Sequence, residues 1–218
     1  MIYEPERNIV LNACREMVRS NLTVGSWGNI SLRCGDGNIV ITPSGTNYEK
    51  SRPEDMVITD INGKVIDGKL APSSERLMHY AIYKKRPDVM AIVHTHSIYS
   101  SVLSVTDERI PPITEDTAML LGNGVNVSEY SLTGTQELAD KVVRGLDTNN
   151  ATIMKNHGAV AVGSDMDRAV TAAQVLEKSA HIFILAKFAG KVNVLPEEDV
   201  KKLRGMSEGY LNQWKNWK

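Results

Sequence analysis

Asp-Gly and Asn-Gly dipeptides, each placed between hydrophobic runs, constrain the fold of this chain most strongly. Asp36-Gly37 separates the runs WGNISLRC and NIVITPS, and Asn62-Gly63 separates MVITDI and KVIDG. A two-residue type I′ turn needs positive φ at both central positions, which Asn, Asp and Gly tolerate better than other residues. Because hairpins join antiparallel strands, the sequence predicts that much of the sheet is antiparallel.

The remaining segments alternate between helical and strand-like patterns. A helix opens at Pro5 and ends before Gly25, because its apolar residues recur at intervals of three and four. Further helices are predicted from Pro72 to about Lys85, over GTQELADKVVRGL and from Asp165 to about Ala189, with strands over VMAIVHTHS, ATIM and AVAVG and a short helix through Tyr99. This alternation predicts an α/β sandwich in which helices cover a mixed or antiparallel sheet.

The size and charge of the chain exclude several classes of protein. Its 218 residues show no compositional break, so we expect one domain over residues 1–218, with a mobile tail from about residue 207. The 25 basic and 26 acidic residues leave no excess of positive charge for binding nucleic acid. The first residues are acidic where a secretory signal is basic and apolar, and no segment approaches the roughly 18 apolar residues of a membrane span. We therefore expect a cytoplasmic protein.

The strand-like run MAIVHTHS places two histidines near its end. Side chains alternate between the faces of a strand, so His94 and His96 share a face and their rings can approach one point. His157, in the turn-like segment MKNHGAV, can present a third imidazole at the end of the sheet, and three protein ligands are typical of catalytic zinc sites. His79 and His181 fit helix patterns and are interpreted as core or surface residues. The spacing alone fits hydrogen-bonded core histidines as well as metal ligands.

The segment APSSERLMHY begins the second predicted helix with residues typical of helix N-termini. Ser73 and Ser74 are good capping residues and Glu75 is favoured by the helix dipole, so a structural role explains all three. Free amides and two hydroxyls at a helix start can also hold a phosphate, and Glu75 can act beside it as an acid and base. Two further turn-forming fragments would complete such a site, with Gly28 and Asn29 in the first and Ser44 and Gly45 in the second.

An ordered set of motifs resembles the class II aldolase and adducin head-domain family. The matching segments, which run from about Gly25 to Gly163, are GSWGNIS, ITPSGTNYEK, APSSERLMHYAIYKKRPDVMAIVHTHS, GTQEL and KNHGAVAVG. The resemblance implies a three-layer α/β/α sandwich. It also implies an enzyme that reversibly cleaves a ketose 1-phosphate, such as L-fuculose 1-phosphate, to dihydroxyacetone phosphate and a short aldehyde such as lactaldehyde. A homotetramer with active sites at the subunit contacts is implied as well.

The same resemblance implies roles for individual residues. One zinc ion per chain is expected on His94, His96 and His157, and Glu75 is expected to contact the metal in the empty site and to shuttle a proton when substrate arrives. The substrate phosphate is expected at Gly28, Asn29, Ser44, Gly45, Ser73 and Ser74. A Lewis acid stabilises the negative charge that develops during carbon–carbon cleavage, so zinc would do the work of the Schiff-base lysine of other aldolases.

The chain departs from the family pattern at one position. Where related enzymes place a tyrosine lent by the neighbouring subunit, the segment IPPITED has Glu115. A carboxyl group serves as a general acid there only if its pKa is raised. Tyr210 resembles a mobile family tyrosine that closes over the site, and it fits a surface aromatic residue equally well.

Other members of the family share the metal frame but differ in chemistry. The alternatives are a ribulose-phosphate 4-epimerase, a methylthioribulose-phosphate dehydratase and a sugar-acid phosphate decarboxylase. The epimerases typically carry Asp where this chain has Glu75, which favours an aldolase. A non-catalytic adducin-like interaction module is the alternative from another class, and the presence of all three histidines together with Glu75 favours an enzyme.

Overall fold

A sheet of eight strands within residues 1–215 forms the middle layer of the protein. The computed structural model describes the backbone of residues 1–215 and the side chains of residues 1–207. The strands are Asn29–Arg33 (β1), Ile39–Ile41 (β2), Val57–Thr59 (β3), Val65–Asp67 (β4), Ala91–Thr95 (β5), Asn126–Ser128 (β6), Ala151–Met154 (β7) and Gly158–Gly163 (β8). Their order in the sheet is β4-β3-β2-β1-β5-β8-β7-β6. Only the pairing of β6 with β7 is parallel among these strands, so the sheet is mostly antiparallel, as predicted.

Both predicted hairpins are present in the sheet. β1 pairs with β2, and Gly37 in the connecting turn has a φ of 88°. β3 pairs with β4, and Gly63 in that turn has a φ of 87°. Glycine adopts this left-handed conformation without the steric cost of a Cβ atom. Asp36 and Asn62 do not have positive φ, so the prediction of type I′ turns is wrong: in each loop only the glycine is left-handed, and its amide donates to the carbonyl oxygen three residues earlier, Cys34 or Asp60. Local turn chemistry is therefore sufficient to predict these two pairs of strands.

Seven α-helices lie within the described residues. They are Glu4–Arg19 (α1), Arg76–Lys85 (α2), Ile98–Thr106 (α3), Glu115–Leu121 (α4), Gln136–Leu146 (α5), Met166–Ala189 (α6) and Glu197–Lys215 (α7). The predictions of α1, α2, α5 and α6 are confirmed, whereas α3 extends well beyond Tyr99 and α4 and α7 are additional. None of the helices in residues 1–215 is both long enough and apolar enough to cross a membrane.

Helix α7 occupies the segment that the sequence analysis treats as a tail. It follows Pro196 and has Glu197, Glu198 and Asp199 in its first turn, where negative charge is favoured by the helix dipole. The backbone from residue 207 to Lys215 is therefore helical, and the mobility of this segment stays a prediction.

The helices cover both faces of the sheet. α2 and α5 pack on one face, in a core with Ile92 and Val160, whereas α1, α3, α4 and α6 pack on the other, in a core with Val93 and Ala161. Neighbouring residues of β5 and β8 thus belong to different cores, because successive side chains of a strand point to opposite faces. The prediction of a three-layer α/β/α sandwich is confirmed.

The middle of the sheet brings distant segments of the chain together. β5 lies between β1 and β8, and Asn29 at the start of β1 is paired with His94 near the end of β5. A bridge between Pro43 and Pro72 joins the loop after β2 to the segment that precedes α2. The end of β5, the start of β1 and the start of α2 consequently meet on the side of the sheet where β5 ends.

Candidate active site and metal centre

Four potential metal ligands converge at the end of β5. His94 lies in β5, His96 follows this strand, His157 lies between β7 and β8, and Glu75 immediately precedes α2. One ligand atom of each side chain lies within 4.8 Å of the ligand atoms of the other three. The structure therefore brings together the four residues for which the sequence predicts metal-binding and acid–base roles.

The turn that carries His157 is held close to the end of β5. Asn156 adopts a left-handed conformation with a φ of 55°. A Cβ atom at Gly158 would lie only 2.3 Å from the carbonyl oxygen of Thr95, so this close approach of the two strands requires glycine. As a result the ring centroids of His157 and His94 are 4.9 Å apart.

The imidazole nitrogens are oriented for binding a cation. His94 Nδ1 donates a hydrogen bond to the carbonyl oxygen of Ala159 at 2.9 Å, which turns His94 Nε2 towards the cluster. That Nε2 atom lies 3.0 Å from His96 Nε2 and 3.1 Å from Glu75 Oε2, and His157 Nε2 lies 3.2 Å from Glu75 Oε1. A histidine ligand whose other nitrogen donates to a backbone carbonyl is the usual arrangement in metal sites. Three imidazoles and one carboxylate therefore fit a divalent transition metal.

Burial and neighbouring charges set the protonation of the cluster. Burial, together with His94 and His157, lowers the pKa of His96 to about 3, and burial with His94 lowers the pKa of His157 to about 4. Burial raises the pKa of Glu75, but the adjacent His94 and His157 outweigh it and hold that pKa well below its usual value. Burial lowers the pKa of His94, and the Glu75 carboxylate more than compensates and raises it. At neutral pH, His96 and His157 are neutral, as metal ligands must be, and Glu75 is ionised.

Two hydrogen bonds hold the carboxylate of Glu75 in addition to the histidines. The amide nitrogen of Asn29 donates to Oε2 at 2.8 Å. The hydroxyl of Thr133, in the loop before α5, donates to Oε1 at 2.9 Å. Each carboxylate oxygen thus has its own donor, and the plane of the group is fixed relative to the three imidazoles.

A cavity of about 550 Å³ opens beside this cluster. Its lining includes Glu75, His96 and His157. It also includes every residue for which a phosphate contact is expected: Gly28, Asn29, Ser44, Gly45, Ser73 and Ser74. The three turn-forming fragments of the sequence therefore share one cavity with the potential metal ligands.

Backbone pairing draws these fragments together and changes one detail of the expectation. The amide of Ser44 donates to Ala71 and the amide of Ser73 donates to Thr42, both at 3.0 Å. The amide of Glu75 donates to the hydroxyl oxygen of Ser73 at 3.2 Å. Free amides at the start of α2 are therefore fewer than the sequence suggests, and a phosphate would depend more on serine hydroxyls, whose hydrogens can rotate towards a ligand.

Comparison with known proteins identifies the family. Residues 8–184 match the family model described as Class II Aldolase and Adducin N-terminal domain. The chain belongs to the class II aldolase and adducin family. The 5-deoxy-D-ribulose 1-phosphate aldolase of Bacillus thuringiensis serovar kurstaki is 36% identical over 214 residues, which cover 98% of this chain and 100% of the relative. The L-fuculose phosphate aldolase of Escherichia coli (strain K12) is 35% identical over 192 residues, which cover 88% of each chain.

A solved structure of L-fuculose 1-phosphate aldolase has the same fold. It aligns with a TM-score of 0.92 at 32% identity, over 95% of this chain and 98% of its own. The family membership confirms the resemblance deduced from the ordered motifs. The protein is accordingly a lyase of the aldolase type.

The expected aldehyde-side residues of this class II aldolase lie away from the cluster or outside the described side chains. Glu115 is exposed in the first turn of α4 and does not line the cavity of its own chain. Its expected role therefore requires a second subunit. The side chain of Tyr210 lies outside the part of the chain that the structure describes.

Several residues of the site are absent from the sequence predictions. Thr133 contacts Glu75 from a loop that has no pattern of its own, and Tyr130 and Leu132 of the same loop line the cavity. Trp27 also lines the cavity, with its ring centroid 5.4 Å from that of His96. Trp27 lies within the family motif GSWGNIS, so the sequence contained a signal that could have identified it as a site residue. The loop before α5 has no such signal, and only the fold places it beside Glu75.

Proposed function

We propose that this class II aldolase family member cleaves a ketose 1-phosphate between C3 and C4 and releases dihydroxyacetone phosphate and a short aldehyde. The observation that carries this proposal is the convergence of Glu75 and three imidazoles beside a cavity that also contains the hydroxyls of Ser44, Ser73 and Ser74. Such a reaction needs a set of metal ligands, an acid–base group and a polar binding site for the phosphate.

Zinc, at one ion per chain, is the metal that we propose for this site. His94, His96 and His157 would hold it through their Nε2 atoms, with Glu75 as a further ligand before substrate binds. Three histidines are a common ligand set of catalytic zinc. When bound, the cation supplies Lewis-acid stabilisation of the negative charge that develops on the substrate oxygens as the carbon–carbon bond breaks.

Glu75 is proposed to move the proton at C3. In the condensation direction its carboxylate takes a proton from C3 of dihydroxyacetone phosphate, and in the cleavage direction the protonated group returns it. A carboxylate is ordinarily ionised at neutral pH, so Glu75 can take this proton as a base. Its hydrogen bonds to Asn29 and Thr133 support the role because they hold the group in a fixed orientation.

The substrate is proposed to be a deoxyketose 1-phosphate. The two relatives named above act, by their names, on sugars that differ in the aldehyde half, since L-fuculose 1-phosphate yields lactaldehyde and 5-deoxyribulose 1-phosphate yields acetaldehyde. Both share the dihydroxyacetone phosphate half, for which Ser44, Ser73 and Ser74 provide hydroxyls. L-Fuculose 1-phosphate stays one candidate within this class.

A homotetramer with active sites at subunit contacts is proposed as the working assembly. Ile98, Val102 and Val105 form an exposed apolar stripe on α3, the helix that follows His96. Such a stripe beside the site fits a subunit contact, because exposed apolar surface tends to be buried by association. Light scattering is expected to give a mass four times that of the 24.0 kDa chain.

The proposed function is tested by product identification. Purified protein is incubated with dihydroxyacetone phosphate and a panel of aldehydes, and separately with L-fuculose 1-phosphate and 5-deoxyribulose 1-phosphate. Activity is expected to disappear with a chelator and to return with zinc. Epimerised or dehydrated sugar phosphate without free aldehyde would refute the proposal, as would equal cleavage of unphosphorylated sugars.

A further inference from the structure

A chain of buried hydrogen bonds leads from Glu75 into the layer between the sheet and α2. Glu75 Oε2 is bonded to Asn29, whose Oδ1 lies 2.5 Å from His79 Nε2. His79 Nδ1 lies 2.7 Å from the hydroxyl of Ser31, which lies 2.8 Å from the hydroxyl of Tyr83. His79 and Ser31 are completely buried, at 0% exposure.

The local geometry of two elements explains this alignment. Glu75, His79 and Tyr83 are four residues apart, so they lie along one side of α2 and its preceding turn. Asn29 and Ser31 are two residues apart in β1 and share one face of the strand. A polar stripe of the helix therefore faces a polar stripe of the strand, inside a layer that is otherwise apolar.

The ionised carboxylate of Glu75 and a neutral ring at His79 together determine the direction of the hydrogen bonds from Glu75 to Tyr83. Glu75 can only accept, so the NH₂ group of Asn29 faces it and Asn29 Oδ1 faces His79. Oδ1 is also only an acceptor, so His79 Nε2 carries the hydrogen. His79 Nδ1 then accepts from the hydroxyl of Ser31, which in turn accepts from Tyr83.

A neutral His79 satisfies this pattern with the hydroxyl of Ser31 as the donor to Nδ1. A protonated imidazole would present two donors, and the hydroxyl of Ser31 would then have to rotate, accept from Nδ1 and donate to Tyr83. Burial, with His94 adding to it, lowers the pKa of His79 to about 3, so the ring is neutral under physiological conditions. Buried polar groups stabilise one geometry only when all of them are paired. Every member of the row from Glu75 to Tyr83 has a hydrogen-bond partner.

We propose that His79 is a positioning residue, whose Nε2 hydrogen holds the amide of Asn29 and, through it, the orientation of the Glu75 carboxylate. This inference rests on the proposed function, because it assumes that Glu75 transfers the proton at C3. It gives Asn29 a second task besides the phosphate contact expected for it.

The kinetic test compares His79→Leu with His79→Gln. Leucine removes the donor to Asn29 and leaves its Oδ1 unpaired, whereas the glutamine amide can restore it. We expect His79→Leu to lower the kcat of dihydroxyacetone phosphate proton exchange by at least about tenfold, because small displacements of a reacting group are costly. The KM is expected to change little, zinc is expected to stay at one ion per chain, and His79→Gln is expected to recover most of the kcat.

Tyr80→Phe is the matched control for this comparison. Tyr80 is also a buried residue of α2, and its hydroxyl donates to Thr59 at 2.9 Å, away from Glu75. The control loses one buried hydrogen bond in the same layer but is expected to keep its kcat. An equal loss of kcat in Tyr80→Phe and His79→Leu, or no recovery in His79→Gln, would overturn the positioning role in favour of a general packing role.

A spectroscopic test separates this inference from the proposed function. In protein labelled with ¹⁵N-histidine, the ring of His79 is expected to show a slowly exchanging hydrogen on Nε2 and none on Nδ1. Its resonance is expected to shift in Glu75→Gln and to stay in place in Tyr80→Phe. An Nδ1-protonated ring, or no shift in Glu75→Gln, would overturn the inference even in an active aldolase. If the spectra are as expected but the protein has no aldolase activity, the proposed function is refuted and the hydrogen-bonded arrangement of His79 is not.

Discussion

Replacing Gly158 with alanine tests whether the close approach of β8 to β5 sets the geometry of the metal site. The added Cβ atom would lie 2.3 Å from the carbonyl oxygen of Thr95 and 3.4 Å from His94 Cε1. Ordinary contact of such atoms begins at about 3.4 Å, so the turn has to move by about 1 Å to relieve the clash. His157 is the preceding residue and moves with the turn.

The displacement is large on the scale of metal coordination. Ligand distances are tolerated within about 0.2 Å, so a shift of about 1 Å weakens the contact of His157 with the metal while His94 and His96 stay in place. We expect zinc affinity to fall by about 10- to 100-fold or more. This loss corresponds to at least about 1.4 kcal/mol of binding free energy. Overpacking is expected to lower the free energy of unfolding by about 1–3 kcal/mol.

Metal affinity and stability are measured separately for this variant. Zinc affinity is obtained by competition with a chromophoric chelator, and the free energy of unfolding by urea titration of the metal-free protein. Gly35→Ala is the matched control, because nothing lies within 4 Å of a Cβ atom added there. The control is expected to match the wild type in both measurements. Wild-type zinc affinity in Gly158→Ala would refute the reasoning that this contact positions His157.

Four further outcomes follow from the site. His96→Ala is expected to lose the metal and all turnover, since two imidazoles do not hold zinc in an open site; bound zinc by mass spectrometry would contradict this. Glu75→Gln is expected to keep zinc but to lose most proton exchange into dihydroxyacetone phosphate, measured by deuterium incorporation. Ser73→Ala is expected to raise the KM for phosphorylated sugars with a smaller change in kcat, and an unchanged KM would remove its hydroxyl from the phosphate site. The pKa of His79 is about 3 in the fold and about 6.5 in the unfolded chain, so protons bind preferentially to the unfolded chain as the pH falls through this window. The unfolding free energy of the metal-free wild type is therefore expected to fall by about 2 kcal/mol more than that of His79→Gln between pH 7 and pH 5.

The sequence by itself determined the features that depend on neighbouring residues. The Asp36-Gly37 and Asn62-Gly63 dipeptides predict their hairpins because the positive φ of each glycine is a local property, although the predicted turn type is wrong. The two-residue period of a strand puts His94 and His96 on one face, and apolar periodicity predicts α1, α5 and α6 but not α7. β6 and α4 are too short to show a period, and for that reason the sequence pattern misses them.

The tertiary structure alone decided which of these local features meet. No local rule places β1 beside β5, and this pairing sets Asn29 opposite His94 and hence beside Glu75. The contact of Thr133 with Glu75 joins residues 58 positions apart, and the link from Asn29 to His79 spans 50. Such contacts form only when the sheet order and the helix layer bury both partners together, because the hydrophobic effect that drives this burial is not directional. His79, which the sequence pattern indicates as an ordinary helix residue, is buried in a hydrogen-bonded chain to Glu75 for that reason.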